Sequence, residues 1–199
     1  MTVAVSAGQP VVRPVVLVGF MGAGKSAVGK SLAAALGAAF KDTDELVVAS
    51  AGSIADLFAE RGEGGFRAVE AEVTLAALAT AAARRPLVLA LGGGAVLSDD
   101  VRQALRGLPH VVWLTAPASV LWSRVRAGDE PERPLAQDEA AFRRLLEARE
   151  ALYRDVATLV ANNDGSSTPE DVAASLAASL TREQPVAADA AGSLDGGRA

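Results

Sequence analysis

The sequence predicts an α/β fold: one layered domain in which a parallel sheet is covered by helices on both faces. Two observations carry that prediction. Four short, largely apolar runs, Val15–Val18, Leu87–Leu91, Val111–Leu114 and Thr158–Ala161, read as strands buried on both sides. Longer segments with helical spacing and helix punctuation lie between them, an alternation that produces parallel strands joined by crossovers. With 199 residues, half of them hydrophobic, the chain has the length of about one domain and can bury a real core.

The elements follow in order. Residues 1–11 are small and polar and read as a flexible N-terminal arm. Val15–Val18 is the first strand, Lys25–Leu36 the first helix, and Gly37 stands where that helix needs a C′ residue. A short strand is expected to end near Asp42. Ser53, with Asp56 three positions on, marks the start of a short helix, and Gly62–Gly65 reads as a hinge feeding the helix that holds Arg67 and Glu70. His110 opens a strand, and Trp113 and Trp122 are expected to pack against the sheet. Thr168, Pro169 and Glu170 supply an N-cap, a proline at N1 and a first-turn acid for the last helix, with Val172, Leu176 and Leu180 as its buried stripe. Residues 182–199, rich in Ala, Gly, Asp and Pro, lack the large apolar groups that repay ordering and read as a disordered tail.

Composition removes several function classes. Nineteen basic and 24 acidic side chains leave a net charge of −5, which argues against a protein that coats nucleic acid through a basic face. No cysteine is present, so a disulfide framework, a thiol nucleophile and a thiolate metal site are excluded. A single histidine, His110, excludes multi-histidine metal sites. No apolar run approaches the roughly 18 residues of a membrane span, and the opening residues lack the basic start and apolar stretch of a signal peptide. A cytoplasmic protein without membrane or nucleic-acid partners is expected.

The most informative segment is Gly19-Phe20-Met21-Gly22-Ala23-Gly24-Lys25-Ser26, an unbroken match to GxxxxGK[ST] between a strand and a helix. Glycines permit backbone torsions that turn successive N–H groups around phosphate oxygens, and the helix adds its positive end. Lys25 offers a charge to the β- and γ-phosphates and Ser26 a hydroxyl to Mg²⁺. ATP with Mg²⁺ is therefore expected, but such a loop also serves GTPases, motors and transporter subunits. The length leaves no room for motor domains, and no NKxD-like guanine-reading tetrapeptide occurs.

Three further segments narrow the choice. Asp42 and Asp44 flank Thr43 at a strand's carboxyl end, the ligand side of an open α/β sheet. There Asp42 suits a Mg²⁺-bound water and Asp44 the proton of an attacking hydroxyl, although one of the pair can instead cap the next helix. Arg67 and Glu70, three apart on a helix, share a face on which the acid can orient the guanidinium. Gly92-Gly93-Gly94, directly after the strand ending at Leu91, lets backbone approach a small ligand.

Taken together, the motifs G-x-x-G-x-G-K-[ST], Phe40-Lys41-Asp42-Thr43-Asp44, Phe66-Arg67 with Glu70, Gly92–Gly94, Arg133-Pro134-Leu135 and Arg149 with Tyr153 resemble the shikimate kinase family over about residues 12–181. The resemblance implies a three-layer P-loop kinase fold of nucleoside-monophosphate-kinase type, its five-stranded parallel sheet in order 2-3-1-4-5, with a mobile lid at about 127–137. It implies ATP-dependent phosphorylation of the shikimate 3-hydroxyl by a monomer.

Residue by residue, it implies that Gly22, Ala23, Gly24, Lys25, Ser26 and Ala27 bind ATP, with Ser26 and Asp42 at the metal. Asp44 would bind a shikimate hydroxyl and act as base. Arg67 and Arg149 would clamp the carboxylate, with Glu70 beside Arg67. Gly92, Gly93 and Gly94 would line the pocket, and Phe58 and Phe66 would form its apolar wall. Arg133 would close over the phosphates, and Arg126 and Pro169 would meet the adenine. Two features depart from the pattern: Lys41 stands where an apolar residue is usual, and Asp129, Glu130 and Glu132 make the lid acidic.

The chemistry is coherent with a small anionic substrate, because an acidic protein binds an anion only through local cations and a planar guanidinium matches a carboxylate bidentately where lysine does not. The nearest alternative is another small-molecule kinase of the same fold, such as a gluconate kinase, which need not keep both D-T-D and G-G-G. A non-catalytic nucleotide-binding regulator is a second, and it has no reason to hold Lys25, Ser26, Asp42, Asp44 and both arginines.

Overall fold

Val15–Val18 (β1) is wholly apolar and almost completely buried, because it lies at the centre of the sheet with a neighbour on each side. A computed structural model describes residues 13–83, 86–127 and 138–182. In chain order the elements are β1, α1 (Lys25–Leu36), β2 (Ala39–Asp42), α2 (Thr43–Ala51), α3 (Ile54–Ala83), β3 (Leu87–Ala90), a 3-10 turn (Ala95–Leu97), α4 (Asp99–Arg106), β4 (His110–Thr115), α5 (Ala118–Ala127), α6 (Glu139–Val156), β5 (Leu159–Asn162) and α7 (Pro169–Arg182). The five strands run in order β2-β3-β1-β4-β5 and every pairing is parallel. This is the order the family resemblance implies.

Burial explains the strand sequences. The central strands β1 and β3 bury every residue, whereas edge strand β5 alternates, leaving Val160 exposed. Lys41 is exposed on the other edge strand, β2, which accounts for a charge in that position. One core cluster joins β1, β3 and β4 to apolar faces of α1, α6 and α7, including Leu32, Phe142, Tyr153, Leu176 and Leu180. A smaller cluster, Val47, Leu57 and Phe66, ties α2 to both halves of α3.

The helix punctuation operates as expected. Gly37 ends α1 in left-handed geometry (φ 60°), Ser53 Oγ accepts from the Asp56 N–H at 3.2 Å, and Thr168 Oγ1 accepts from the Asp171 N–H at 3.2 Å, with Pro169 as the first helical residue. The helix begun at Ser53 is short, as expected: it ends at Gly62, whose torsions (φ 66°, ψ −179°) are non-helical, and the kink there feeds the second half of α3, which carries Arg67 and Glu70. Trp122 lies on α5 and packs on Phe142 of α6 (5.2 Å between centroids) at the edge of the core cluster that contains the central strands, while Trp113 is itself a strand residue facing Tyr153.

The arm (residues 1–11), the tail beyond Arg182 and residues 128–137, with Arg133, lie outside the described residues. Among the described residues no helix is long and apolar enough to cross a membrane.

Candidate active site

The strand order brings the carboxyl ends of β1, β2 and β3 side by side, and the loops leaving them build the site. From β1, residues Gly19–Ser26 turn into α1. Gly24 is the N-cap with φ 85°, and a β-carbon there would stand 2.5 Å from Asn163 Nδ2, so glycine is required for space as well as torsion. Lys25 curls back over the loop and donates to the carbonyls of Gly19 (2.9 Å) and Phe20 (3.2 Å). Ser26 and Ala27 lie exposed in the first turn of α1.

From β2, three consecutive residues reach three different places. Asp42, 8% exposed, caps α2 by accepting from the Asp44 N–H at 3.0 Å, and its other oxygen accepts from Ser26 Oγ at 2.6 Å. It therefore both caps a helix and faces the P-loop. Thr43 is fully buried and accepts from the Gly92 N–H at 2.8 Å, fastening this turn to the glycine triplet after β3. Asp44 is half-buried beside that triplet, where a β-carbon on Gly92 would lie 2.5 Å from Asp44 Oδ1 and 2.7 Å from Glu70 Oε1.

Two arginines converge on the same glycines. Arg67 donates to Glu70 Oε2 at 2.6 Å, and its guanidinium lies against Gly94, where a β-carbon would force it to move. Arg149, 3% exposed on α6, donates to the Gly93 carbonyl at 3.4 Å and stacks over Phe20 at 5.5 Å. Tyr153, one turn on, donates to the same carbonyl at 2.6 Å. The Nε atoms of Arg67 and Arg149 are buried and have no hydrogen-bond partner among the described residues. Buried, unmatched guanidinium N–H groups are costly unless an anion completes them.

Electrostatics reflect this crowding. Burial pushes the Glu70 carboxyl above the ordinary glutamate range, Arg67 and its hydrogen bond pull it partly back, and Asp44 raises it further. Burial lowers the Arg149 pKa, opposed by Tyr153 and reinforced by the like charge of Arg67. Burial likewise pushes the Tyr153 hydroxyl upward, so it stays protonated as a donor at neutral pH.

The remaining expected residues divide. Phe58 and Phe66 stack at 4.6 Å next to Arg67, whose guanidinium lies 5.0 Å from the Phe66 ring. Pro169 stands at the start of α7 after the β5 loop. Arg126 is exposed and stacks on Trp122 at 5.7 Å. Among the described residues no group of three or more His, Asp or Glu side chains could hold a metal ion by itself. The adjacent Ser26 hydroxyl and Asp42 carboxylate are hard oxygen donors of the kind that assist Mg²⁺ carried on nucleotide phosphates.

A family model for shikimate kinase matches residues 21–181. The chain belongs to the shikimate kinase family. A shikimate kinase of Streptomyces coelicolor is 46% identical over 161 residues, covering 79% of this chain and 90% of the relative. The solved shikimate kinase from Acinetobacter baumannii in complex with shikimate superposes with a TM-score of 0.78 at 34% identity, covering 87% of this chain and 96% of that one. A gluconokinase from Sinorhizobium meliloti 1021, at 21% identity and TM-score 0.57, shares the fold alone.

Against this shikimate kinase framework, two residues that shape the site have no signal in the sequence: Arg124 and Asn163 act through backbone groups distant in sequence, for which no local pattern exists. Thr43 and Tyr153 stand inside the motifs quoted above, but their contacts, with the Gly92 N–H and the Gly93 carbonyl, emerge only in the fold.

Proposed function

We propose that this chain transfers the γ-phosphoryl group of ATP to the 3-hydroxyl of shikimate, giving shikimate 3-phosphate and ADP. The observation that carries the reading is the pair of buried guanidinium N–H groups on Arg67 and Arg149 that have no partner among the described residues, gathered with the Asp44 carboxylate around Gly92–Gly94 next to a P-loop. Two forks fit one carboxylate, and the acid beside them fits a hydroxyl on the same small molecule.

In this reading Gly22, Ala23, Gly24, Lys25, Ser26 and Ala27 hold the ATP phosphates. Ser26 and Asp42 would hold Mg²⁺, which when bound neutralises charge on the β- and γ-phosphates. Arg67, oriented by Glu70, and Arg149 bind the carboxylate, while Phe58 and Phe66 wall the ring and exclude water. Asp44 accepts the hydroxyl proton as the acceptor oxygen bonds to the γ-phosphorus and the bridging bond to ADP breaks. The transition state is loose, so positioning and charge neutralisation outweigh base strength. Arg126 and Pro169 belong to the adenine side and Arg133 to the phosphates. Residues 12–181 form the kinase domain, which works as a cytoplasmic monomer.

A coupled ADP-release assay over a panel of hydroxy acids tests the reading. Release that requires shikimate, with gluconate inactive, supports it. Equal or greater turnover of gluconate overturns it.

A further inference from the structure

Opposite the shikimate side, the P-loop is held from outside by two side chains that bind no part of either substrate in the reading above. Arg124, on α5, donates through one terminal nitrogen to the Gly22 carbonyl (3.3 Å) and to the Asn163 carbonyl (2.8 Å). Asn163, just beyond β5 and 4% exposed, donates through Nδ2 to the Ala23 carbonyl at 2.8 Å. The Asn163 amide thus fills the space beside Gly24. Three elements far apart in sequence meet at two successive P-loop peptides.

We infer that Arg124 and Asn163 form one bracket that sets the P-loop peptides for phosphate binding, making both of them nucleotide-positioning residues. A trans peptide is planar, with its C=O and N–H pointing in opposite directions. Anchoring the Ala23 carbonyl on Asn163 therefore fixes the Gly24 N–H away from Asn163, and the φ of 85° at Gly24 delivers the chain into the N-terminus of α1. The Gly22 carbonyl, held by Arg124, belongs to the peptide whose N–H, that of Ala23, closes a turn onto the Phe20 carbonyl at 3.1 Å.

With both carbonyls held outward, the loop enters binding already shaped and the nucleotide does not bear the ordering cost. Because Arg124 also binds the Asn163 main-chain carbonyl, loss of Arg124 also frees the segment that carries the Asn163 amide, so the two contributions are coupled. The inference rests on reading the P-loop as the phosphate site, and it concerns nucleotide affinity alone.

The test is calorimetric titration of the full chain with ADP and, separately, with shikimate, for wild type, Arg124→Met, Asn163→Ser and the double variant. Each single variant is expected to weaken ADP binding roughly tenfold, the scale of a lost hydrogen bond to a charged or buried group. The double variant should be at most about threefold weaker than the worse single one, since coupled residues act as a unit. Shikimate affinity should stay within about twofold of wild type. ADP affinity within twofold of wild type in both single variants overturns the inference, as does parallel loss of ADP and shikimate affinity, which marks a merely structural role. Fully additive losses overturn the single bracket. Asn163→Ser keeps the test decisive if Arg124→Met does not fold. A wild-type chain that binds ADP yet leaves shikimate unphosphorylated defeats the proposed function while leaving the bracket standing.

Discussion

Gly92 and Asp44 are packed so that a single methyl group on the former would stand 2.5 Å from Oδ1 of the latter. That contact joins the glycine triplet to the acid in the first turn of α2, and the Thr43 hydroxyl bonded to the Gly92 N–H locks the two turns together. The acceptor side of the site is thus assembled by backbone proximity, before any ligand is considered.

Gly92→Ala should therefore displace the Asp44 and Glu70 carboxylates and cut kcat/KM for shikimate by roughly 100-fold or more, because small misplacements of reacting groups are costly. ADP affinity should hold, since the P-loop is not touched. Steady-state kinetics with a separate ADP titration check both parts, and wild-type kcat/KM in the variant would remove this contact from the account.

Asp44→Asn is expected to lower kcat at least roughly 100-fold, the scale of one general base. ATP binding should be unchanged. Activity within a factor of three of wild type would remove Asp44 from the proton transfer.

Arg67→Lys should raise the shikimate KM roughly 10- to 100-fold, since losing a charge-assisted fork costs on the order of 1.5 to 3 kcal/mol. The KM for ATP should barely move. Parallel rises in both constants would point to damage in α3 instead.

Glu70 supplies a pH signature. Its carboxyl titrates above the ordinary value of 4.5, mainly because it is buried. Between that value and the raised one, the folded chain holds a proton that the unfolded chain has released, so stability falls as pH rises through the window. Glu70→Gln removes this titration. Its Tm should decline less than that of wild type as pH rises from the ordinary carboxylate value, while its shikimate KM rises as Arg67 loses its carboxylate partner. Parallel Tm curves for the two proteins would contradict the assignment.

The residues legible in the sequence are those whose chemistry is local. The P-loop glycines follow from torsion and space, Arg67 and Glu70 from helical spacing, and the Thr168–Pro169 start of α7 from capping. Asp42 was legible as an acid at a strand end, but only the fold decides that it serves Ser26 and the α2 cap together. Arg124 was not legible, because its partners are main-chain carbonyls 102 and 39 residues away and every residue supplies such a carbonyl. The hinge at Gly62 was legible in its glycines, whereas the packing of Leu57 and Phe66 into one cluster across it was not, because that contact is tertiary.

The central claim is that shikimate is the phosphoryl acceptor at its 3-hydroxyl. Phosphorus NMR of the complete reaction, with ATP, Mg²⁺ and shikimate, tests it most directly by following the nucleotide and the new phosphomonoester together. The account predicts that ADP and shikimate 3-phosphate appear in equal amounts and that neither forms when shikimate is left out. ADP accompanied by free phosphate alone, or a phosphate ester on a different hydroxyl, would contradict it.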